Sequence, residues 1–342
     1  MREIKPNKKN FFLKFFIKIC RFFGFEIIDQ SNFTAPVSNK SLNESLSVPG
    51  KRSITLPLGE VKITRKVKSF DVILRTCMTV NMLTQSKKRI FEKEKEEYTK
   101  RTLVSIIKSI NHAKIKFKET KFKIYVIDHN SQNDQMNMLK NILNNSQIDF
   151  EINTLNFNRY SKEIKKINEE NKEVTSNQKS NMSNIHQSII LSKEKCEDLT
   201  YFVEDDYLHK LNAVSEILFA YEKFSSLFNN ELIICPTDYP YLYTGTNDTK
   251  VFMGENRHWR KIDQTLCSFV MSKKIINNYY EELISMCKFE HYPFEKPLHN
   301  IYKKELCISP IPSLSVHFTN INSIYGLSPN VDWKKLWEEN ES

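Results

Sequence analysis

Glycine is scarce in this chain, at six in 342 residues. There is no GxGxxG fingerprint and no P-loop, so the usual glycine-rich turns that cradle a phosphate on backbone N–H groups are missing. Paired cysteines are missing too. Cys20, Cys77, Cys196, Cys235, Cys267, Cys287 and Cys307 are odd in number, widely spaced and never in a CxxC pair. That pattern argues against a disulfide frame or a cysteine zinc site and points to reduced thiols in a cytosolic compartment. No internal repeat is found. A concentrated basic tract is lacking as well: the net charge is +10, but the lysines are scattered and mixed with glutamates. This argues against a dedicated nucleic-acid binder, and no nucleic-acid partner is expected. A dispersed basic surface suits anionic lipid or phosphorylated small molecules instead.

What is present is enough for a substantial core. Apolar residues make up 40% of the chain, the proportion of a globular protein, and its length allows one large domain or two ordinary ones. Residues 11–25 read FFLKFFIKICRFFGF. Lys14, Lys18 and Arg21 recur at helical spacing as one cationic stripe, and Phe11, Phe12, Phe15, Phe16, Ile19 and Phe22 cover the remainder. The stretch is too short and too regularly charged to span a bilayer, and no small-residue cleavage site follows it, so a secretory signal is not expected. The pattern predicts a helix lying in the plane of an anionic membrane surface, within residues 1–28. The alternative is a helix packed on the main domain with its lysines reaching out to water.

A linker or extended arm rich in Ser, Asn and Pro follows over 29–66, then the main domain over 67–330 and a C-terminal tail over 331–342. Within the domain, β-like and α-like segments alternate. Strands are predicted at 71–77, 121–127, 148–155 and 199–203, with helices at 90–110, 134–143 and 182–192 between them. The polar stretch 158–179 reads as a mobile loop or exposed helix. Such alternation predicts an α/β fold with a mostly parallel sheet covered on both faces. Ligands of these sheets sit beyond the carboxyl ends of the strands.

Two acidic features fall at such ends. Asp128 follows the strand of residues 121–127. Glu204-Asp205-Asp206 follows the apolar run Leu199-Thr200-Tyr201-Phe202-Val203. Three adjacent carboxylates repel one another unless a cation or a donor network holds them. Hard oxygen ligands suit Mg²⁺ or Mn²⁺, and either ion can bridge a diphosphate. Further along, Tyr239, Tyr241 and Tyr243 sit among prolines in a pattern suited to stacking on a sugar. Arg257-His258-Trp259-Arg260 sets two guanidinium groups around an indole, an arrangement that suits a pyrophosphate or an anionic acceptor.

The order of a DVILRT strand, a helix, a strand ending Asp128-His129-Asn130-Ser131-Gln132-Asn133-Asp134, and a strand ending Glu204-Asp205-Asp206 resembles the nucleotide-sugar half of GT-A glycosyltransferases, family 2 in particular. The resemblance covers roughly residues 70–318. It departs from the family by one residue inserted after Asp128, and by Glu-Asp-Asp in place of the usual Asp-x-Asp. It implies a GT-A, Rossmann-like sheet and transfer of a sugar from a nucleoside diphosphate to a hydroxyl of a glycan or lipid-linked acceptor, with Mn²⁺ or Mg²⁺. It puts Asp206 on the metal and Glu204 or Asp205 near the ribose or a metal-bound water. Asp128 would bind the base or ribose, or else cap its turn, and Arg75 would meet the nucleotide. His317 would complete the metal shell. Tyr239, Tyr241, Trp259 and Arg260 would face the acceptor. Glu290 would be the base that deprotonates the acceptor, with Glu295 and Asp263 behind it, although the family's Glu-Asp pair here reads Glu290-His291.

The implied enzyme is cytoplasmic and peripheral on the inner face of the membrane. Two rivals stand beside it. A sugar-phosphate nucleotidyltransferase shares the sheet but normally has a glycine-rich loop after its first strand, where this chain has none. A non-catalytic basic binding protein would owe its partner to charge alone.

Overall fold

The structure, a computed structural model, describes residues 11–25, 62–79, 89–245, 248–290, 294–319 and 323–341. The chain divides into two compact units, residues 1–61 and 62–342. In the first unit α1 (Phe11–Phe22) is a helix of 12 residues. Its Phe11, Phe12, Phe15, Phe16, Ile19 and Phe22 are exposed, and Lys14, Lys18 and Arg21 lie along its other side. Most of the linker expected over 29–66 lies outside the described residues.

The second unit begins with the expected alternation. β1 (Ser69–Thr76), α2 (Lys95–Lys116), β2 (Lys121–Asp128), α3 (Asn133–Asn144) and β3 (Asp149–Thr154) come first. The short α4 (Phe157–Tyr160), the long α5 (Ser176–Lys195), β4 (Leu199–Glu204) and β5 (Tyr207–His209) follow. Then come α6 (Ala213–Phe228), β6 (Ile233–Ile234), β7 (Val251–Met253), β8 (His258–Ile262) and β9 (Phe269–Ser272). The chain closes with α7 (Lys273–Asn278), α8 (Tyr280–Lys288), α9 (Lys296–Tyr302), β10 (Cys307–Ile311), β11 (Ser315–His317) and α10 (Trp333–Glu338).

Nine strands form one sheet in the order β3-β2-β1-β4-β9-β6-β10-β8-β7. From β3 to β4 every pairing is parallel, and antiparallel strands enter with β9. Every residue of β1 is buried, and so is all of β4 except its last, as befits central strands covered on both sides. Right-handed crossovers explain the covering. The chain steps from β1 to β2 to β3 in one direction, which places α2 and α3 on one face. It then returns past β1 to β4, which places α5 on the other. α6 packs beside α2, and α7 and α8 beside α5, completing two helical layers. The reversal leaves a crevice between the carboxyl ends of β1 and β4, where open α/β sheets hold their ligands.

Local signals set several boundaries. α5 starts at a capping box, in which the Thr175 hydroxyl accepts from the Gln178 N–H and the Gln178 side chain accepts from the Thr175 N–H. It therefore begins six residues earlier than the apolar pattern from Met182 suggests. Glu92 has φ of 48°, a left-handed turn, and α2 begins only at Lys95 instead of at residue 90. The segment 158–179 holds α4, a 3₁₀ turn and the first turn of α5.

The C-terminal stretch expected over 331–342 is described to residue 341 and holds α10. Leu336 and Trp337 of α10 are buried with Tyr98, Leu208, Val316 and Phe318 in a second apolar cluster. The Arg101 guanidinium lies 4.3 Å from the Trp337 ring centre and donates to its carbonyl. An amphipathic segment of six residues gives little periodic signal, which is why this docking was not legible.

Trp259 is fully buried in β8, and Gly254 makes room for it: a Cβ there would sit 2.5 Å from the indole Nε1 and 2.8 Å from the Arg257 carbonyl. Gly254→Ala should therefore lower stability by about 1–3 kcal/mol, through displacement of the β7–β8 turn or the indole. Urea unfolding of the variant checks this, and an unchanged midpoint would show that the turn yields freely.

Candidate active site

The strand register brings the predicted residues side by side. Thr76 pairs with Asp128 across β1 and β2, and Arg75 pairs with Glu204 across β1 and β4. A cavity of about 380 Å³ opens at these strand ends. Arg75, Glu204, Asp205, Asp206, Glu290 and His317 all line it.

Each carboxylate of the acidic tripeptide has its own cation. Glu204 meets Arg75 at 2.9 Å. Asp205 meets Lys95 Nζ at 2.6 Å and also accepts from the Thr99 hydroxyl at 3.0 Å and the Cys77 N–H at 3.2 Å. Asp206 Oδ2 meets Arg89 at 3.0 Å, with Lys95 at 3.7 Å. Burial opposes ionisation of Asp206, but Lys95, His317 and Arg89 together hold its carboxyl well below the usual range. Arg89 and Lys95 escaped the sequence reading, because the run Glu92-Lys93-Glu94-Lys95-Glu96-Glu97 looks like any solvated helix start.

His317 reaches Asp206 because β11 pairs antiparallel with β5, setting His317 opposite Tyr207. The Phe318 N–H donates to the Asp206 carbonyl at 2.8 Å. The imidazole stacks on Tyr207, ring centres 4.5 Å apart and planes 3° from parallel. Its Nδ1 is 2.8 Å from the Tyr325 carbonyl and so carries the proton donated there. Nε2 then faces Asp206 Oδ1 at 3.4 Å. In neutral histidine these are two lone-pair acceptors pointing at one another, and they need a shared proton or a cation. Burial disfavours the imidazolium, yet Asp206 outweighs it and raises the pKa.

Asp206 Oδ1 and His317 Nε2 are the two groups here that could hold a divalent cation. The donor set is a hard carboxylate oxygen plus an imidazole nitrogen oriented by a backbone carbonyl. Among the described residues no three His, Cys, Asp or Glu side chains gather to enclose a metal. Mg²⁺ sites commonly take one or two protein carboxylates and complete their shell with waters and substrate phosphates, so few protein ligands are needed.

Other predicted residues lie elsewhere. Asp128 is buried and caps its turn: it accepts from the Thr76 and Ser131 hydroxyls, both at 2.6 Å, and from the Ser131 N–H, with Asn130 left-handed at φ 60°. It is not on the cavity wall, so of its two readings the geometry favours the turn cap. Tyr239 is fully buried, its hydroxyl 2.8 Å from that of Tyr207. Tyr241 is half-buried and donates to the Gln264 carbonyl at 2.5 Å. The Trp259 indole is in the core. Arg260 is buried in an ion pair with Asp238 beneath the Tyr243 ring. None of these four lines the cavity. Their burial corrects the acceptor-binding expectation for Tyr239, Trp259 and Arg260. A run of aromatic and basic residues is equally the pattern of a sheet strand, and here it forms β8, whose Trp259 and Arg260 are buried. Leu266, Phe294 and Tyr325 line that side of the cavity instead.

The two glutamates at the far wall differ. Both Glu290 oxygens accept from amides, one from Gln178 and one from Asn168 at 2.9 Å. Glu295, just before α9, is pushed up to about 7, chiefly by burial, with Glu204 adding repulsion while its own N–H and Arg75 oppose. Asp263 is exposed at the end of β8, away from the cavity. Residues 291–293 lie outside the described set.

No family model matches this chain, and no curated protein matches its sequence. Solved structures resemble it in shape. One is a UDP-glucose pyrophosphorylase complexed with UDP-glucose, 9% identical, covering 80% of this chain and 97% of that one at TM-score 0.37. Another is the galactosyltransferase LgtC in complex with donor and acceptor sugar analogs, 8% identical, covering 79% and 95% at TM-score 0.37. A third is mouse xyloside xylosyltransferase 1, apo form, 9% identical, covering 69% and 76% at TM-score 0.38. Similarity at this level assigns no reaction to the chain.

The raised Glu295 carboxyl makes a signed prediction. A carboxyl that titrates near 7 when folded and near its ordinary 4.5 when unfolded favours folding below pH 4.5, and that contribution is lost as pH rises through 7. Glu295→Gln does not titrate there. Its stability relative to wild type should therefore be greater at pH 8 than at pH 5 by about 1–3 kcal/mol. Urea unfolding of both proteins at the two pH values measures it, and a difference that does not change with pH would show that Glu295 titrates normally.

Proposed function

We propose that this chain is a glycosyltransferase of the GT-A kind, taking a sugar from a nucleoside diphosphate to a hydroxyl of a glycan or lipid-linked acceptor. The observation that carries the reading is the Asp206–His317 pair, a carboxylate oxygen facing an imidazole nitrogen in a cavity at the sheet's reversal point. Asp206 Oδ1 and His317 Nε2 would hold Mn²⁺ or Mg²⁺. Such an ion, when bound with a diphosphate, supplies positive charge to the departing phosphate oxygens.

The chain's own residues do the rest. Arg75, held by Glu204 and Asn181, presents a fixed guanidinium at the end of β1. Lys95 and Arg89 hold the Asp205 and Asp206 carboxylates in place. A carboxylate on the segment 289–295 takes the acceptor's proton. Glu290, the expected base, is tied by two amide donors, whereas Glu295 titrates close to neutral pH, where a general base works best. The apolar side, Leu266, Phe294 and Tyr325, receives the acceptor ring. The nucleotidyltransferase reading is weaker, because β1 is followed by Cys77-Met78-Thr79 and no glycine loop to wrap a triphosphate.

Thermal shift with UDP, GDP and dTDP, each with and without Mn²⁺, tests the site. A nucleotide at about 100 times its dissociation constant should stabilise the protein by roughly 2.7 kcal/mol. In Asp206→Asn the Mn²⁺-dependent part should vanish while the melting curve stays cooperative. Equal Mn²⁺ dependence in that variant would sink the assignment.

α1 supports a peripheral position on an anionic membrane surface. No described helix is long and apolar enough to cross a membrane. α1 instead carries exposed phenylalanines on one side and Lys14, Lys18 and Arg21 on the other, as a helix lying in the interface of an anionic bilayer does, at about 1 kcal/mol per cation near the surface. Deleting residues 1–28 should release the protein from vesicles of phosphatidylserine and phosphatidylcholine and leave nucleotide binding intact. Cosedimentation decides it, and undiminished pelleting of the truncated chain would locate the contact elsewhere.

A further inference from the structure

α10 does not line the cavity, yet it touches both chain segments that bring Arg89 and His317 to Asp206. Arg89 reaches Asp206 Oδ2 at 3.0 Å. Two residues later the Phe91 ring stacks on Trp337, ring centres 4.2 Å apart and planes 22° from parallel. His317 faces Asp206 Oδ1, and the next residue, Phe318, packs on the same indole with ring centres 5.6 Å apart. Phe91 and Phe318 also stack on each other, at 6.1 Å. One side chain of the C-terminal helix is therefore the common floor of two segments that lie far apart in sequence.

Polar contacts close the unit. The Arg89 guanidinium donates to the Phe318 carbonyl at 3.2 Å and lies 4.8 Å from the Tyr98 ring centre. The Tyr98 hydroxyl accepts from the Phe91 N–H at 3.1 Å, and its ring meets Trp337 at 4.8 Å. Trp337 is buried and held from α2 by Arg101, which covers the indole and donates to its carbonyl. Lys108, also on α2, donates to the Glu339 carbonyl at 2.6 Å. This aromatic cluster is separate from the core that packs the sheet.

The consequence is geometric. Arg89 occupies Asp206 Oδ2, which leaves Oδ1 turned to His317 Nε2. A shift of either segment changes the distance or the angle between those two atoms. Loss of the indole would free Phe91 and Phe318 together, because aromatic groups hold one another by buried area and ring geometry.

We propose that Trp337 is a positioning residue of the active site. Through Phe91 and Phe318 it sets Arg89 and His317 about Asp206, so the docked C-terminal helix serves the divalent-ion seat as well as stability. The inference rests on the nucleotide-sugar reading above. Docking of α10 and filling of the seat are then coupled, and such coupling works in both directions.

Calorimetry on the full chain tests one direction. UDP, GDP and dTDP are titrated with and without Mn²⁺ into wild type, Trp337→Leu and Trp337→Phe. Trp337→Leu should lose about tenfold of the affinity gained from Mn²⁺, as when an outer partner of a metal ligand is removed, and keep its Mn²⁺-free affinity. Trp337→Phe retains a ring to stack and should recover most of that gain. Hydrogen exchange of the wild-type chain tests the other direction. The nucleotide that binds, with Mn²⁺, should slow exchange over α10 more than over β7 and β8 at the far end of the sheet. Should Trp337→Leu fail to fold, the exchange measurement decides alone. A folded Trp337→Leu protein with the full gain from Mn²⁺, or α10 no better protected than β7 and β8, would overturn the inference while leaving the nucleotide reading standing. Failure of all three nucleoside diphosphates to bind the wild-type chain, or binding indifferent to Mn²⁺, would overturn both.

Discussion

Three consecutive carboxylates at the end of β4 have to be held against their mutual repulsion, and much of the second unit is arranged to hold them. The partners come from far apart in sequence. Arg75 arrives on β1, Lys95 and Thr99 on the first turns of α2, Arg89 from the segment before it, and His317 on β11. Removing a partner would leave a buried charge uncompensated, which costs far more than losing an exposed pair. The cluster therefore ties together the carboxyl ends of β1 and β4, the start of α2 and the small β5–β11 ladder. A site assembled this way resists relaxation, which is what a reaction centre that must hold charge in place requires.

The apolar frame explains why the cluster sits where it does. β1 and β4 are buried along their lengths, and their side chains allow no ionised group until the strands end. Asp71, the exception in mid-strand, is itself buried and raised to about 6. The first positions at which charge is affordable are the carboxyl ends, facing the crevice made by the chain's reversal between β3 and β4. Burial, topology and charge thus converge on one cavity, with paired ions on one wall and the uncharged amides of α5 on the other.

The sequence carried much of this frame. β1, β2, β3 and β4 fall within two residues of their predicted spans, because β-branched and aromatic runs alternate with helical segments, and β2 and β4 are marked further by the acids that end them. The acidic tripeptide and His317 were legible as candidates, and the structure brings Asp206 and His317 together. Other features were hidden for physical reasons. Lys95 and Arg89 belong to a charged segment that reads as solvent-facing, and only the fold turns them inward. The amides of α5 carry no charge or periodic apolar signal. Trp259 and Arg260 carried the opposite fault. They looked exposed and reactive, yet one fills the pocket left by Gly254 and the other neutralises Asp238 in the interior. Side-chain type told which groups can do chemistry, and register decided which of them meet.

The central claim is that Asp206 and His317 together form the seat of a divalent ion that arrives with a nucleoside diphosphate. Pulsed electron paramagnetic resonance of Mn²⁺ added with UDP reads that seat directly through nitrogen hyperfine coupling. One imidazole nitrogen should be detected in the wild-type protein, and it should disappear in His317→Ala while the Mn²⁺ signal from nucleotide phosphorus weakens. Bound Mn²⁺ that shows no nitrogen coupling in the wild-type protein, or the same coupling in His317→Ala, would contradict the account.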